Sequence, residues 1–281
     1  MNTEELKTFI FLSKVKNFTL AAEQLQIAQS TVTNRISELE KEVGKKLFDR
    51  GSKTVRLTEE GEIFLRYAER ILELQEASVE EMNAVSAHRR KFCVGAINAT
   101  YELYVKELVN KCLYDGETSI KIMLGHSPDL IRHLQDNVLD MVFSIVPLKR
   151  QGYNCDVYAT DRLALVCAKG KNEYKKGVTK DCLPKLPILM CDFYLSEAGE
   201  FIRSHFPQNH IFKLEVDNTS KILPYLKAGH GYAFLPYKMV KDDIENGIVE
   251  EVPLRGFEAP KITTYLIYRT GYNANRFLKN E

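Results

Sequence analysis

Within the stretch QSTVTNRIS the side chains of Gln29, Ser30, Thr33, Asn34 and Ser37 recur at the spacing that places them on one face of a helix. All five are neutral hydrogen-bonding groups. A merely solvated helix face favours Glu and Lys, as the same segment does further on in ELEKE. Amides can pair with adenine edges, and hydroxyls with several base or phosphate groups, so this face suits a helix whose front end enters a DNA major groove. On the wheel alone, a plain polar face accounts for it equally well.

Such a face needs a scaffold, and the flanking residues provide one. Val32, Ile36, Leu39 and Val43 lie at i, i+4, i+7 and i+11 and form an apolar stripe, and Gly44 can take the left-handed conformation that stops a helix. Upstream, a short helix is expected from Leu20 to Leu25, capped by Thr19. Its Ala21 and Ala22 let a neighbour approach, and Gln26 to Ala28 serve as the connection. Earlier still, Leu6, Phe9, Ile10 and Ser13 give a first helix. Downstream, KLFDRGSKTVRLT reads as two short strands around Gly51. Lys45, Lys46, Arg50, Lys53 and Arg56 stand there against the single acid Asp49. A cationic wing of this kind suits phosphate contacts. The arrangement predicts a winged helix-turn-helix, with Gln29, Ser30, Thr33 and Asn34 toward bases and Arg50, Lys53 and Arg56 toward the backbone of the duplex.

The same run resembles the N-terminal domain of LysR-type transcriptional regulators. The matching elements are Phe18, Thr19, Ala21, Ala22 and Leu25, then Gln29, Val32 and Ile36, then Leu39 and Glu40. They continue with Gly44 to Arg50 in the pattern G-x-x-LF-x-R, and Leu57 to Gly61 in LT-x-x-G. Ser30 stands where the family often has Pro, which leaves the helix start less rigidly fixed. From Thr58 to about His88 there is no proline, and two apolar stripes run along one long helix: Phe64, Tyr67, Ile71 and Leu74, and beside them Leu65, Ala68, Leu72, Val79 and Met82. Some thirty residues at ~1.5 Å each outrun a small winged domain, which favours a partner helix over packing on the chain's own domain. The resemblance implies the same linker helix, used for dimerisation, with His88 to Lys91 as a polar hinge.

Length and charge set the wider frame. A chain of 281 residues with 44% hydrophobic content has room for two or more domains, and its net charge of +1 gives no global argument for nucleic acid. The start MNTEELKTFI is acidic and polar where a secretory signal needs a basic start and an apolar run. A cytoplasmic protein without membrane contact is expected. Six cysteines, with no CxxC spacing, read as small hydrophobes.

Beyond the linker, apolar runs alternate with helical patterns: FCVGAI, YELYVKELVNKCL, SIKIML, SPDLIRHLQD and MVFSIV, then a second set from RLALVCA to YAFLP. Alternation of this kind predicts a parallel sheet with crossover helices, and TTYLIY is expected to return to the first set. This region resembles the effector-binding domain of the same family, which shares the architecture of periplasmic solute-binding proteins. Asn137 replaces a family glycine, while Gly229, Gly231, Leu235 and Pro236 are in register; the C-terminal end is short, implying a trimmed final helix. The expected class is α/β, with a winged helix-turn-helix over 1–58 and a linker and dimerisation helix over 59–88. A two-lobed effector-binding domain of periplasmic-binding-protein type follows over 89–281. Its first lobe would take about 92–160 and 262–281, its second about 161–261.

Three polar sets precede helices: Asn98-Ala99-Thr100, Gly125-His126-Ser127 and Asp217-Asn218-Thr219-Ser220. Each of Thr100, Ser127 and Thr219 is explained singly as an N-cap. Convergence of the three sets on one cleft would instead make an anion site at helix N-termini. The resemblance implies that these positions line the effector site. The candidates are Asn98, Thr100, His126, Ser127, Ser144 and Thr219, holding a small anion or carboxylate near Thr100, with Asp217 and Asp129 expected to point away.

No GxSxG, P-loop, HExxH or GxGxxG occurs, so no enzyme, metal site or cofactor is expected, and His126 and His133 read as surface histidines. Cys182 and Cys191, nine apart, raise a thiol-sensing alternative, but their registration against the strand-like PILM counts against it. A solute-binding module without DNA regulation is the other alternative. The expected partners are a double-stranded DNA operator, a small-molecule effector, and a second copy forming a dimer, then a dimer of dimers. RNA polymerase is a further candidate partner.

Overall fold

The computed structural model describes residues 1–51, 54–86, 90–114, 118–191 and 197–278. Two compact units divide it, Met1–His88 and Arg89–Glu281.

In the first unit, α1 (Thr3–Val15) starts from a reciprocal cap: Asn2 Oδ1 accepts the Glu5 N–H, and Glu5 returns a carboxylate oxygen to the Asn2 N–H. The next helix, α2 (Phe18–Leu25), is capped by Asn17, whose Oδ1 accepts the Leu20 N–H at 3.1 Å, so Thr19 already lies inside the helix. Gln26 in the left-handed region ends it, and α3 (Gln29–Val43) follows and stops at Gly44 with φ +70°. Ala21 and Ala22 are buried where α2 meets α3, and Val32, Ile36 and Leu39 close the core with Leu6, Phe9 and Leu12. The wing is a two-stranded antiparallel sheet of β1 (Phe48–Gly51) and β2 (Thr54–Leu57). Behind it runs α4 (Glu59–Ser86), whose start is fixed by Thr58 Oγ1 accepting the Gly61 N–H.

The second unit opens with β3 (Arg90–Ala96). Arg90 and Lys91 thus belong to a strand rather than to the expected hinge, and residues 87–89 lie outside the described ones. One helical run follows: α5 (Asn98–Thr100), a π-helical turn over Tyr101–Val105, and α6 (Lys106–Leu113). Then come β4 (Thr118–Leu124), α7 (Ser127–Gln135), β5 (Met141–Ser144) and the sixteen-residue β6 (Tyr153–Ala168). The chain continues through β7 (Leu189–Cys191), α8 (Glu197–Ser204), β8 (Leu214–Val216) and α9 (Leu223–Lys227). It closes with β9 (Tyr232–Pro236), α10 (Tyr237–Glu245), β10 (Val249–Glu251), β11 (Lys261–Arg269) and α11 (Asn275–Leu278).

β6 belongs to both halves of this unit. Its residues from Tyr153 to Arg162 pair with β11, and those from Leu163 onward pair with β9 and β10. The sheets are mixed rather than parallel throughout. β4, β3 and β5 run parallel, whereas β11 lies antiparallel to both β5 and β6. The reason is connectivity: β6 carries the chain out of the first half and β11 brings it back, and an outgoing and a returning strand side by side must oppose each other. Each half buries its own core, one around Phe92, Phe143 and Phe277, the other around Phe234, Ile222 and Leu226.

Candidate nucleic-acid interface and ligand pocket

On α3 the apolar stripe faces the core and leaves Gln29, Ser30 and Asn34 exposed, with Thr33 and Ser37 half-buried beside them. The Thr33 hydroxyl donates to the Gln29 carbonyl at 3.0 Å. Arg35, on the flank, is held by Thr8 and Glu4 and so stays off the exposed face. Lys45 and Lys46 are engaged by Glu60 and Glu40. Arg56 on β2 is exposed and has no acidic partner among the described residues. Arg50 sits on β1 opposite Val55, and Lys53 lies outside the described residues.

Glu40 explains how wing and helix keep a fixed angle. Its carboxylate, 4% exposed, accepts the N–H groups of Leu47 and Phe48 and a hydrogen bond from Lys46. Burial alone would raise its pKa, but these donors prevail and hold it below the ordinary value.

Along α4, Phe64, Leu65, Ala68 and Leu72 pack on the winged core, so for these four residues the helix does lie on its own domain. Of the first expected stripe, Phe64 thus packs inward, while Tyr67, Ile71 and Leu74 are exposed together with Ile63, Tyr67 by 56%.

The second unit holds a cavity of about 230 Å³. Ile97, Asn98 and Ala99 at the start of α5 line one side, with Gly125, His126 and Ser127 at the start of α7. Asp217, Asn218 and Thr219 line the other, from the loop after β8. The three polar sets do converge. Four of the six expected residues, Asn98, His126, Ser127 and Thr219, are in the lining.

Thr100 and Ser144 stand behind the wall. The Thr100 hydroxyl donates to the carbonyls of Ile97 and Phe143, and Ser144 Oγ is taken up by both backbone groups of Val146. Both are buried, and neither belongs to the lining. The caps also differ from expectation: the N-cap positions are Ile97, His126 and Asn218, so Thr100, Ser127 and Thr219 are first-turn residues. Ser127 is 4% exposed, and its Oγ has no hydrogen-bond partner among the described residues. A buried hydroxyl without a partner costs about 1–3 kcal/mol, a cost that a bound acceptor or donor would remove.

Asp217 was expected to point away and instead belongs to the lining. It lay within one of the polar sets, so the signal was present in the sequence; what misled was treating it as a cap, a role Asn218 performs by accepting the Ser220 N–H. Asp129 is engaged by Arg132 on α7. His133 is buried rather than on the surface, because α7 turns that face to the sheet.

The six cysteines are free thiols. Cys191 is buried in β7, and Cys182 is half-buried with its sulfur accepting from Thr179 Oγ1. Burial, with Glu250 nearby, pushes the Cys167 thiol up to about 11. Residues 192–196, which follow β7, lie outside the described residues.

Among the described residues no helix is long and apolar enough to cross a membrane.

Comparison with known proteins agrees with both units. Residues 3–62 match the bacterial regulatory helix-turn-helix protein family of lysR type, and residues 89–279 match the LysR substrate binding domain. The HTH-type transcriptional regulator CitR of Bacillus subtilis is 26% identical over 273 residues, 95% of this chain and 93% of that protein. HdfR of Escherichia fergusonii is 30% identical over 169 residues, 59% of this chain and 60% of that protein. In fold, the chain is similar to the LysR family transcriptional regulator CbnR, with a TM-score of 0.74 at 19% identity, over 99% of this chain and 97% of that one. With a family model spanning each unit and a relative matched along nearly its whole length, the chain belongs to the LysR family of transcriptional regulators.

Proposed function

We propose that this regulator reads a partly palindromic operator with the exposed face of α3, grips phosphates with the wing, and changes its grip when a small carboxylate-bearing molecule enters the cavity of the second unit. CbnR, similar in fold, has been solved in complex with its target DNA, which supports the reading that this chain binds a DNA target. Gln29, Ser30, Thr33 and Asn34 take the base edges. Arg50, Lys53 and Arg56 take the backbone. The exposed stripe Ile63, Tyr67, Ile71 and Leu74 meets its counterpart on a second copy, which gives the two heads that a palindrome needs.

The observation that carries the ligand reading is Ser127, a buried hydroxyl without a partner, at a helix start that also lines the cavity. A ligand there shifts DNA binding only through unequal affinity for two arrangements of the protein. The test is operator affinity of the full-length chain with and without a series of small carboxylates. Wild type should respond to at least one of them, and Ser127→Ala should keep its ligand-free affinity and lose the response. An equal response in Ser127→Ala, or no response to any carboxylate, contradicts the reading.

A further inference from the structure

The cavity has two ends of opposite character. At one end are two helix starts. Their N-cap positions, Ile97 and His126, supply no side-chain hydrogen bond to the first-turn N–H groups. The helical run from Asn98 continues without a break to Leu113, and α7 is nine residues long, so both carry a dipole worth considering. Ser127 Oγ, buried and without a partner, stands at the second of them. This end favours an anionic group.

At the other end is Asp217. It follows β8, is exposed, and has no hydrogen-bonding or ion-pair partner among the described residues. Among the described residues, no Lys or Arg belongs to the lining, and His126 is the titratable side chain there besides Asp217. A ligand that is only an anion would bring its charge into a small space with the Asp217 carboxylate and no cation between them. One that also carries an ammonium group would satisfy both ends. The cavity, at about 230 Å³, is smaller than the roughly 300 Å³ at which drug-sized pockets begin, which limits the ligand to a small metabolite.

We propose that the ligand is a small amino-carboxylate, of the size of a single amino acid, with its carboxylate toward Ser127 and the two helix starts and its ammonium toward Asp217. This rests on the reading of the cavity as the regulator's ligand site. The two ends together define a polarity: neither the desamino acid nor the decarboxylated amine of the same skeleton satisfies the site.

The test is calorimetric titration of the full-length chain with the twenty standard amino acids, followed by the desamino acid of the tightest binder. At least one amino acid should bind, and its desamino acid should bind more weakly by about tenfold or more, the scale of a charge-assisted hydrogen bond. Asp217→Asn should abolish that preference, weakening the amino acid and leaving the desamino acid no weaker than before. Asp217→Ser provides an independent check, and both variants, altered at an exposed side chain, should unfold at the wild-type temperature. If the desamino acid binds as tightly as the amino acid, or if both variants keep the preference, the amino-carboxylate assignment is overturned while the carboxylate reading stands. If neither amino acids nor their desamino acids bind, the cavity is not a carboxylate site and both readings fall.

Discussion

Glu40 on α3 accepts the backbone N–H of Leu47 at 2.9 Å, so a single buried carboxylate ties this helix to the start of the wing. Glu40→Ala leaves the Leu47 and Phe48 N–H groups without acceptors and should destabilise the N-terminal unit by about 1–3 kcal/mol, with a smaller loss for Glu40→Gln. The pH dependence has a fixed sign. Because the folded pKa lies below the ordinary 4.5, this stabilisation is complete above that value and is lost as pH falls through the depressed one. Denaturant titrations of wild type and Glu40→Gln over the acid range should converge at low pH.

Two backbone positions separate steric need from mere preference. An added Cβ at Gly61 would collide with the Leu47 carbonyl oxygen, the same oxygen that accepts the Thr58 N–H at 3.0 Å. Gly61→Ala should therefore cost about 1–3 kcal/mol as an overpacking change. Asn137, by contrast, has φ +61° and occupies the left-handed region that the family's glycine would also take. Asn137→Gly should be nearly neutral and Asn137→Val destabilising, both checked by thermal unfolding.

On the linker helix the two stripes should respond differently to charge. Ile71→Glu or Tyr67→Glu leaves the winged core intact and should shift the protein toward smaller species in sedimentation, since pairing two copies would then bury like charges. Leu65→Glu or Leu72→Glu places the charge against the winged core and should lower folding stability instead. Unchanged sedimentation in the Ile71 and Tyr67 variants would remove α4 as the contact between copies.

The winged unit was largely legible in the sequence because its signals are local: a capped helix, an apolar stripe, a terminating glycine. The misplaced cap at Thr19 shows the limit, since Asn17 and Thr19 are both good capping types and only the chain's entry angle decides between them. In the second unit the continuous apolar strand runs stand out, whereas the first half of β6 carries only the weaker signal of a half-buried strand, the polar/apolar alternation from Tyr153 to Val157. The cavity was found by its three polar sets, yet which hydroxyl within each set faces it depends on helix phase. Thr100 turns inward to Phe143, whereas Ser127 remains without a partner.

Arg56→Ala should weaken binding to every duplex alike and reduce the salt dependence by about one counterion in slope. Titrations at two salt concentrations with operator and with unrelated DNA measure it. A loss confined to the operator would mean that Arg56 reads bases.

The proposed role of α3 as the sequence-reading element is tested most directly by selection of bound fragments from a random duplex pool by the full-length chain, wild type against Asn34→Ala, followed by sequencing. Wild type should enrich a partly palindromic sequence. Asn34→Ala should retain total DNA binding while losing about 1–3 kcal/mol of preference at one position in each half-site. Enrichment of no sequence by the wild type, or an unchanged motif in the Asn34→Ala variant, would contradict the assignment.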